Sequence, residues 1–515
     1  MGVFPIETPH LMKTFAILVL AAGACAHAQA GPATLTPDAG PHAVGLRIVQ
    51  QYDYSRAMEE RVDAFGKTVA TPKARPIQAL VWYPAKRTGA APMRIADYRQ
   101  ASLLDVDFDR PAFEVAKQRA AWMSGPQQAL YAAATLAVRD AAPAAGSYPV
   151  IVYAPSFAAP ADENLDLCEY LASQGYVVIA SRSMGARSVT MTFDVEGVEA
   201  QAADIAFLVN HARTLPQADM DKVAVVGFSW GGLSNVFAAA RSGRIKALVS
   251  LDGSIRFHPK IWSAASYVRP ARTAVPMLSL GASSLPAEEL ALKDMLGASY
   301  LNSMTYSDVY FGTLHPMQHA HFSSLFGLRL AGDGEFGDYR RADVVQAYRT
   351  AALYVHRFLD AYLKQDAGAM DFIRQSPAKQ GIAPQLMAMR FQPAAAAAPT
   401  EAAFLRAFAE GGFRDAQAIY ARMRSAWADF HLNPLTLNDL GYELLRGKNA
   451  RGAVELFKLA THIEPKYGNA WDSEGEAWEA LGDKAQAITA YEKAVAVDKK
   501  QANAVARIKA LRAGA

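Results

Sequence analysis

The sequence predicts an α/β unit, with a mostly parallel sheet carrying helices on both faces, followed by a C-terminal all-α repeat unit. Three observations predict it. From about residue 40 to 360, short apolar segments alternate with helical patterns, and several of those segments are continuous apolar runs. Alternation of this kind builds parallel sheets through crossover helices, and unbroken apolar strands are those covered on both sides. The chain then closes on helical patterns that repeat every 34 residues. At 515 residues it is also too long for one ordinary core.

The N-terminus reads as an export signal, residues 1–30. Lys13 precedes the apolar run Phe15 to Ala22, and Ala28-Gln29-Ala30 forms a small-residue cleavage site before Gly31, with Met12 as the expected start. The mature chain is therefore expected to be exported, periplasmic or secreted. The apolar run is too short to span a bilayer and no other segment reaches the length, so no transmembrane segment is predicted. Ala22-Gly23-Ala24-Cys25 resembles a lipoprotein cleavage box without its usual leucine, which makes lipid anchoring through Cys25 the alternative. After cleavage only Cys168 remains, so no intramolecular disulfide forms and Cys168 reads as a buried apolar side chain.

The α/β pattern occupies residues 40–365. Its clearest strands are Ile77 to Tyr83, Val150 to Ala154, Val177 to Ser181, Val223 to Gly227, Ala247 to Leu251, Met277 to Leu280 and Tyr306 to Phe311. Residues 100–145 read as a helical insertion or flank, Phe113 to Met123 and Gln127 to Arg139. Residues 366–400 turn proline- and alanine-rich and read as a linker. From 401 to 515, Gly441, Ala453, Val454, Phe457 and Ala460 recur as Gly475, Ala487, Ile488, Tyr491 and Ala494. Those spacings resemble the tetratricopeptide repeat, whose small residues let paired helices approach. Such a stack offers a surface for a protein partner or for self-association.

Composition narrows the function. Apolar residues make up 51% and charged residues 20%, values of a folded chain, and the net charge is only +3. With no basic block or aromatic-basic interleaving, a nucleic-acid partner is not expected.

The chemistry centres on Gly227-Phe228-Ser229-Trp230-Gly231, between the apolar run Val223 to Val226 and an alanine-rich helical pattern. Strand, sharp turn and helix make Ser229 a candidate nucleophile on an exposed elbow. A serine on such an elbow calls for an acid and then a histidine later in the chain. Asp252 follows the strand Ala247 to Leu251 directly, at the sheet edge where the elbow sits; the plain alternative is an Asp-Gly turn. The next strand ends in Ala282-Ser283-Ser284 without a carboxylate, leaving Glu288 and Asp294 as fallback acids. For the base, the loop after Tyr306 to Phe311 holds His315, His319 and His321. No His-Glu-x-x-His, paired cysteines or acidic cluster accompanies them, so they read as general-base candidates and no metal or cofactor is expected. The candidate oxyanion donors are the backbone N–H of Trp230, directly after the nucleophile, and that of Phe157 in the loop Pro155 to Ala159.

These residues resemble the α/β-hydrolase superfamily, most closely its platelet-activating-factor acetylhydrolase and dienelactone-hydrolase branch, over roughly residues 40 to 365. The matching pieces are Pro76 to Ala85, Tyr148 to Val152, Leu171 to Val178, the elbow, and Leu251-Asp252-Gly253. In the acetylhydrolase branch the acid follows the strand after the elbow, which implies Asp252. The base there begins a His-x-x-Phe pattern, which His319-Ala320-His321-Phe322 fits and His321 and His315 do not. The chain departs from the pattern in the oxyanion loop, where Pro155-Ser156 replaces His-Gly, and at Ser181-Arg182-Ser183-Met184, where an acidic-basic pair is usual. The elbow carries Ser229, not a dienelactone-type cysteine, and the repeats look appended.

The resemblance implies a serine hydrolase that cleaves small-molecule or lipid-like carboxylic esters through a Ser-His-Asp triad and an acyl-enzyme. Two alternatives follow from the same residues. One is a serine peptidase of prolyl-oligopeptidase type; no acidic anchor for a peptide amino terminus is identifiable in the sequence. The other is an interaction protein that binds through its repeats on a catalytically silent scaffold.

Overall fold

The computed structural model describes residues 35–58, 61–62, 68–70, 73–282, 299–427 and 430–513. The expected signal at 1–30, with Cys25, and the fallback acids Glu288 and Asp294 lie outside them. The chain divides into two units, Met1–Ala395 and Ala396–Ala515.

The first unit is built on strands β1 (Ala43–Met58), β2 (Arg61–Val62), β3 (Thr68–Ala70), β4 (Lys73–Ala85), β5 (Ala137–Arg139), β6 (Tyr148–Ala154), β7 (Val177–Ser181), β8 (Ala218–Phe228), β9 (Ile245–Leu251), β10 (Met277–Ala282), β11 (Val309–Leu314) and β12 (Met387–Gln392). Ten of them form one sheet in the order β12-β11-β10-β9-β8-β6-β7-β4-β1-β5, and β2 pairs with β3. From β7 to β11 every pairing is parallel. The flanks turn antiparallel, β4 on β7, β1 on β4 and β12 on β11.

Side chains alternate across each strand, and here both faces are buried. Ile151, Tyr153, Ala224 and Val226 enter one core, with residues of the helices Leu165–Ser173 and Arg341–Leu363. Val150, Val152, Val223 and Val225 enter the other, with residues of the helices Val195–Ala212 and Trp230–Arg241. Each branched side chain so buried contributes about 1.5–3 kcal/mol. Cys168 is a fully buried member of the first core.

The sequence expectations need three corrections in this unit. The strand expected at Tyr306 to Phe311 runs Val309–Leu314. The helix expected at Gln127 to Arg139 ends at Ala132, and Ala137–Arg139 pairs with β1 instead. The linker expected at 366–400 is mostly ordered into the unit. Asp366 caps the helix Ala367–Arg374 through the Ala369 N–H, and β12 adds to the sheet with Met387 opposite Leu314. Met387, Met389 and Phe391 pack on the core with Ala388, Arg390 and Gln392 between them, a period of two that six residues in a proline- and alanine-rich stretch conceal. Only residues 396–400 remain as a connection before the helix Glu401–Glu410.

The second unit is helical, with Pro434–Arg446 paired to Ala450–Ile463 and Gly468–Ala480 paired to Lys484–Val497. One contact recurs at both pairs. A Cβ on Gly441 would lie 2.4 Å from the Phe457 ring, and one on Gly475 would lie 2.5 Å from the Tyr491 ring. In each pair the absence of a side chain lets the aromatic ring of the second helix lie on the backbone of the first.

Candidate active site

Ser229 stands between the last residue of β8 and the helix Trp230–Arg241, at φ 53° and ψ −113°. A non-glycine residue at positive φ is strained and persists only when its surroundings hold it. Here Ser229 N–H donates to Leu251 O at 3.0 Å, and Ser229 O accepts from Gly232 N at 3.0 Å and Ser254 N at 2.8 Å. The turn also needs Gly231, whose Cβ would come within 2.0 Å of Ala154 O.

Asp252 leaves the end of β9, also at positive φ, 41°. Its N–H donates to Leu280 O at 2.6 Å, and its Oδ1 accepts from Ala282 N at 3.1 Å, which fixes the carboxylate over the end of β10. Its Oδ2 lies 2.6 Å from His319 Nδ1, and His319 Nε2 lies 2.9 Å from Ser229 Oγ. A carboxylate only accepts, so Nδ1 carries the ring proton and Nε2 accepts from the serine hydroxyl. Ser229 is 2% exposed and Asp252 5%, whereas the His319 side chain is 40% exposed.

The other two histidines of the loop lie elsewhere. His321 is buried, with Nδ1 accepting from Gln318 N at 2.9 Å and Nε2 donating to Glu335 O at 3.1 Å. It braces the loop. His315 ties the loop to the segment before β12, its backbone N–H reaching Leu386 O at 3.1 Å. No group of three or more metal-ligating side chains occurs among the described residues.

Trp230 is the first residue of its helix, so its N–H has no carbonyl within the helix to bond. Around Phe157, Ser156 N donates to Glu163 Oε2 at 2.8 Å, Ala158 N to Met191 Sδ at 2.9 Å and Ala159 N to Ser156 O at 3.2 Å. Among the described residues the Phe157 N–H has no such partner. The side chains of these two residues meet edge to face, with ring centroids 5.4 Å apart.

Residues 134–275 match a family model described as the dienelactone hydrolase family, a stretch that contains Ser229 and Asp252 and stops before β10. The fold is the α/β-hydrolase fold. The match supports a hydrolase acting on esters. A search of curated proteins finds no match. Among solved structures, a ferulic acid esterase from Streptomyces cinnamoneus aligns at 19% identity and a TM-score of 0.48, over 68% of this chain and 97% of that one.

Within the hydrolase unit, three features of the site had not been singled out from sequence. Phe193 packs on Trp230 and on His258, with ring centroids 4.6 Å apart in both cases, and is 48% exposed. With Phe157 these rings form an aromatic wall beside the two free N–H groups. His258 is pushed down to about 4 by burial against that wall. Glu163 is buried behind Ser156, and burial lifts its carboxyl to about 7. The polar run Asp162-Glu163-Asn164 in an otherwise apolar stretch was the available signal, since all three side chains are buried.

Proposed function

We propose that the chain is an exported serine hydrolase that cleaves carboxylic esters through an acyl-enzyme. The observation that carries this reading is the continuous hydrogen-bonded run from Ser229 Oγ through His319 to Asp252, beginning on a strained turn at a helix N-terminus. Ser229 Oγ attacks the ester carbonyl carbon while His319 Nε2 takes its proton. Asp252 holds the imidazolium that results. The N–H groups of Trp230 and Phe157 then stabilise the tetrahedral oxyanion, each contributing about 3 kcal/mol. Collapse expels the alcohol, which leaves with the proton from His319, and water, deprotonated by the same nitrogen, releases the acid. The aromatic wall of Phe157, Phe193 and His258 supplies an apolar surface for the substrate at this point. The substrate is a small-molecule or lipid-like ester.

The helical unit we assign to tetratricopeptide-like stacking on the paired glycine–aromatic contacts, and its role to binding a protein partner. The hydrolase reading is tested with a serine-directed fluorophosphonate, locating the adduct by mass spectrometry, followed by a panel of matched esters and amides. An adduct on Ser229 that Ser229→Ala abolishes, with ester turnover, is expected. A folded protein that takes no label sinks the reading in favour of a silent scaffold, and turnover confined to amides would make the chain a peptidase.

A further inference from the structure

Glu163 has no part in the reaction just described, yet it is only 3% exposed and sits beside the candidate oxyanion loop. Its Oε2 accepts from Ser156 N at 2.8 Å and its Oε1 accepts from Ser156 Oγ. Ser156 O in turn accepts from Ala159 N. Ser156 is thereby held at its N, Oγ and O atoms, and the planar peptide that carries the Phe157 N–H begins at its carbonyl. The other side of Glu163 faces the histidine loop. Its backbone O accepts from Ser323 Oγ at 3.0 Å and Leu325 N at 3.1 Å, and Asn164 next to it bonds Phe322 O at 2.8 Å and Ser324 N at 3.0 Å. One short segment thus pins both loops that the candidate chemistry uses.

We propose that Glu163 is a positioning residue of this site, which holds the Phe157 N–H in place through Ser156.

The role rests on hydrogen bonds that do not need the charge. A glutamine could accept from Ser156 N and donate to Ser156 Oγ, without the penalty of a buried anion. Burial lifts the Glu163 carboxyl to about 7, and the hydrogen bonds from Ser156 pull it back down. Tyr153, whose hydroxyl is 3.3 Å from Oε2, bonds the same carboxyl from the strand side.

The inference rests on the ester-hydrolase reading, and labelling of Ser229 in every variant keeps the two apart. In the full chain, Glu163→Ala is expected to lower kcat by about tenfold or more with KM nearly unchanged, since an oxyanion donor acts on the transition state. Glu163→Gln keeps both hydrogen bonds and removes the charge. Its kcat is expected to stay within a few-fold of wild type, so the conservative variant restores what alanine loses. Should Glu163→Ala fail to fold, Ser156→Ala decides the positioning role by the same fall in kcat. Wild-type kcat in the alanine variants overturns the positioning role, as does a Glu163→Gln variant whose kcat falls as far as that of Glu163→Ala. Absence of label on wild-type Ser229 overturns it together with the parent reading.

Discussion

Ser229 carries backbone strain that two substitutions can expose. Both Ser229→Ala and Ser229→Gly remove Oγ and its hydrogen bond to His319, so both are expected to be inactive. They differ in what the backbone at φ 53°, ψ −113° demands. An alanine keeps the Cβ and with it a strain of about 1–3 kcal/mol, whereas glycine relieves the strain and loses about 0.5–1 kcal/mol to the extra freedom of its unfolded chain. The difference favours glycine by about 0–2.5 kcal/mol, centred near 1 kcal/mol. Urea denaturation read by tryptophan fluorescence measures it, because Trp82 and Trp230 are fully buried in the hydrolase unit. In a thermal scan the gain corresponds to only about 1–2 °C for a unit of this size, so the urea midpoint is the better readout. If the glycine variant proves no more stable than the alanine variant, the turn is not strained and the account of how Ser229 is held is wrong.

Three further expectations follow from other parts of the chain. Asp252→Asn should leave the fold intact and lower ester kcat by about 10⁴, since an amide can present N–H to His319 Nδ1 and so place the ring proton on Nε2; steady-state kinetics beside a circular dichroism spectrum check it. His258 titrates near 6.5 in the unfolded chain and near 4 in the folded one, so the folded state binds fewer protons between those values. Wild-type stability should therefore be full above pH 6.5 and fall as pH drops towards 4, and the urea midpoint of His258→Gln should fall less between pH 7 and 5. Gly475→Ala places a Cβ 2.5 Å from the Tyr491 ring and should destabilise the helical unit by about 1–3 kcal/mol, read as an earlier loss of helical circular dichroism in urea.

Legibility in the sequence followed the range of the interactions involved. The central strands could be read because each is a continuous apolar run, and the elbow because its glycines, serine and flanking patterns are contiguous. β1 was missed as a strand although it spans Ala43–Met58, because after the buried Val44 and Leu46 it carries Arg47, Gln50, Gln51 and Tyr54 on both faces, which breaks the apolar run. β12 was hidden by composition. The aromatic wall joins Phe157, Phe193, Trp230 and His258 from four separate segments, and no local pattern announces such a meeting. Glu163 lies seven residues from the serine it holds, across a stretch that is neither helix nor strand and so shows no periodic pattern. Chemistry-bearing residue types could be named in advance, but the groups that fix them could not.

The three members of the hydrogen-bonded run are not held equally, and the difference has a mechanistic meaning. Ser229 and Asp252 each sit at the C-terminal end of a parallel strand, at positive φ, with their backbone N–H groups bound to the neighbouring strand. Their positions are set by the sheet itself. His319 instead starts a short 3₁₀ turn beyond β11, in a loop braced by His321, Glu163 and Asn164, and its ring is the exposed member. In the proposed reaction that arrangement suits a group that exchanges a proton with Oγ, a leaving alcohol and water in turn, because Ser229 stays fixed while the proton carrier alone has room to adjust. It also places the weakest link of the site in the loop contacts around Glu163 and His321. Substitutions there should erode catalysis before they erode the fold, whereas substitutions at Gly231 or the Leu280–Asp252 contact should do both together.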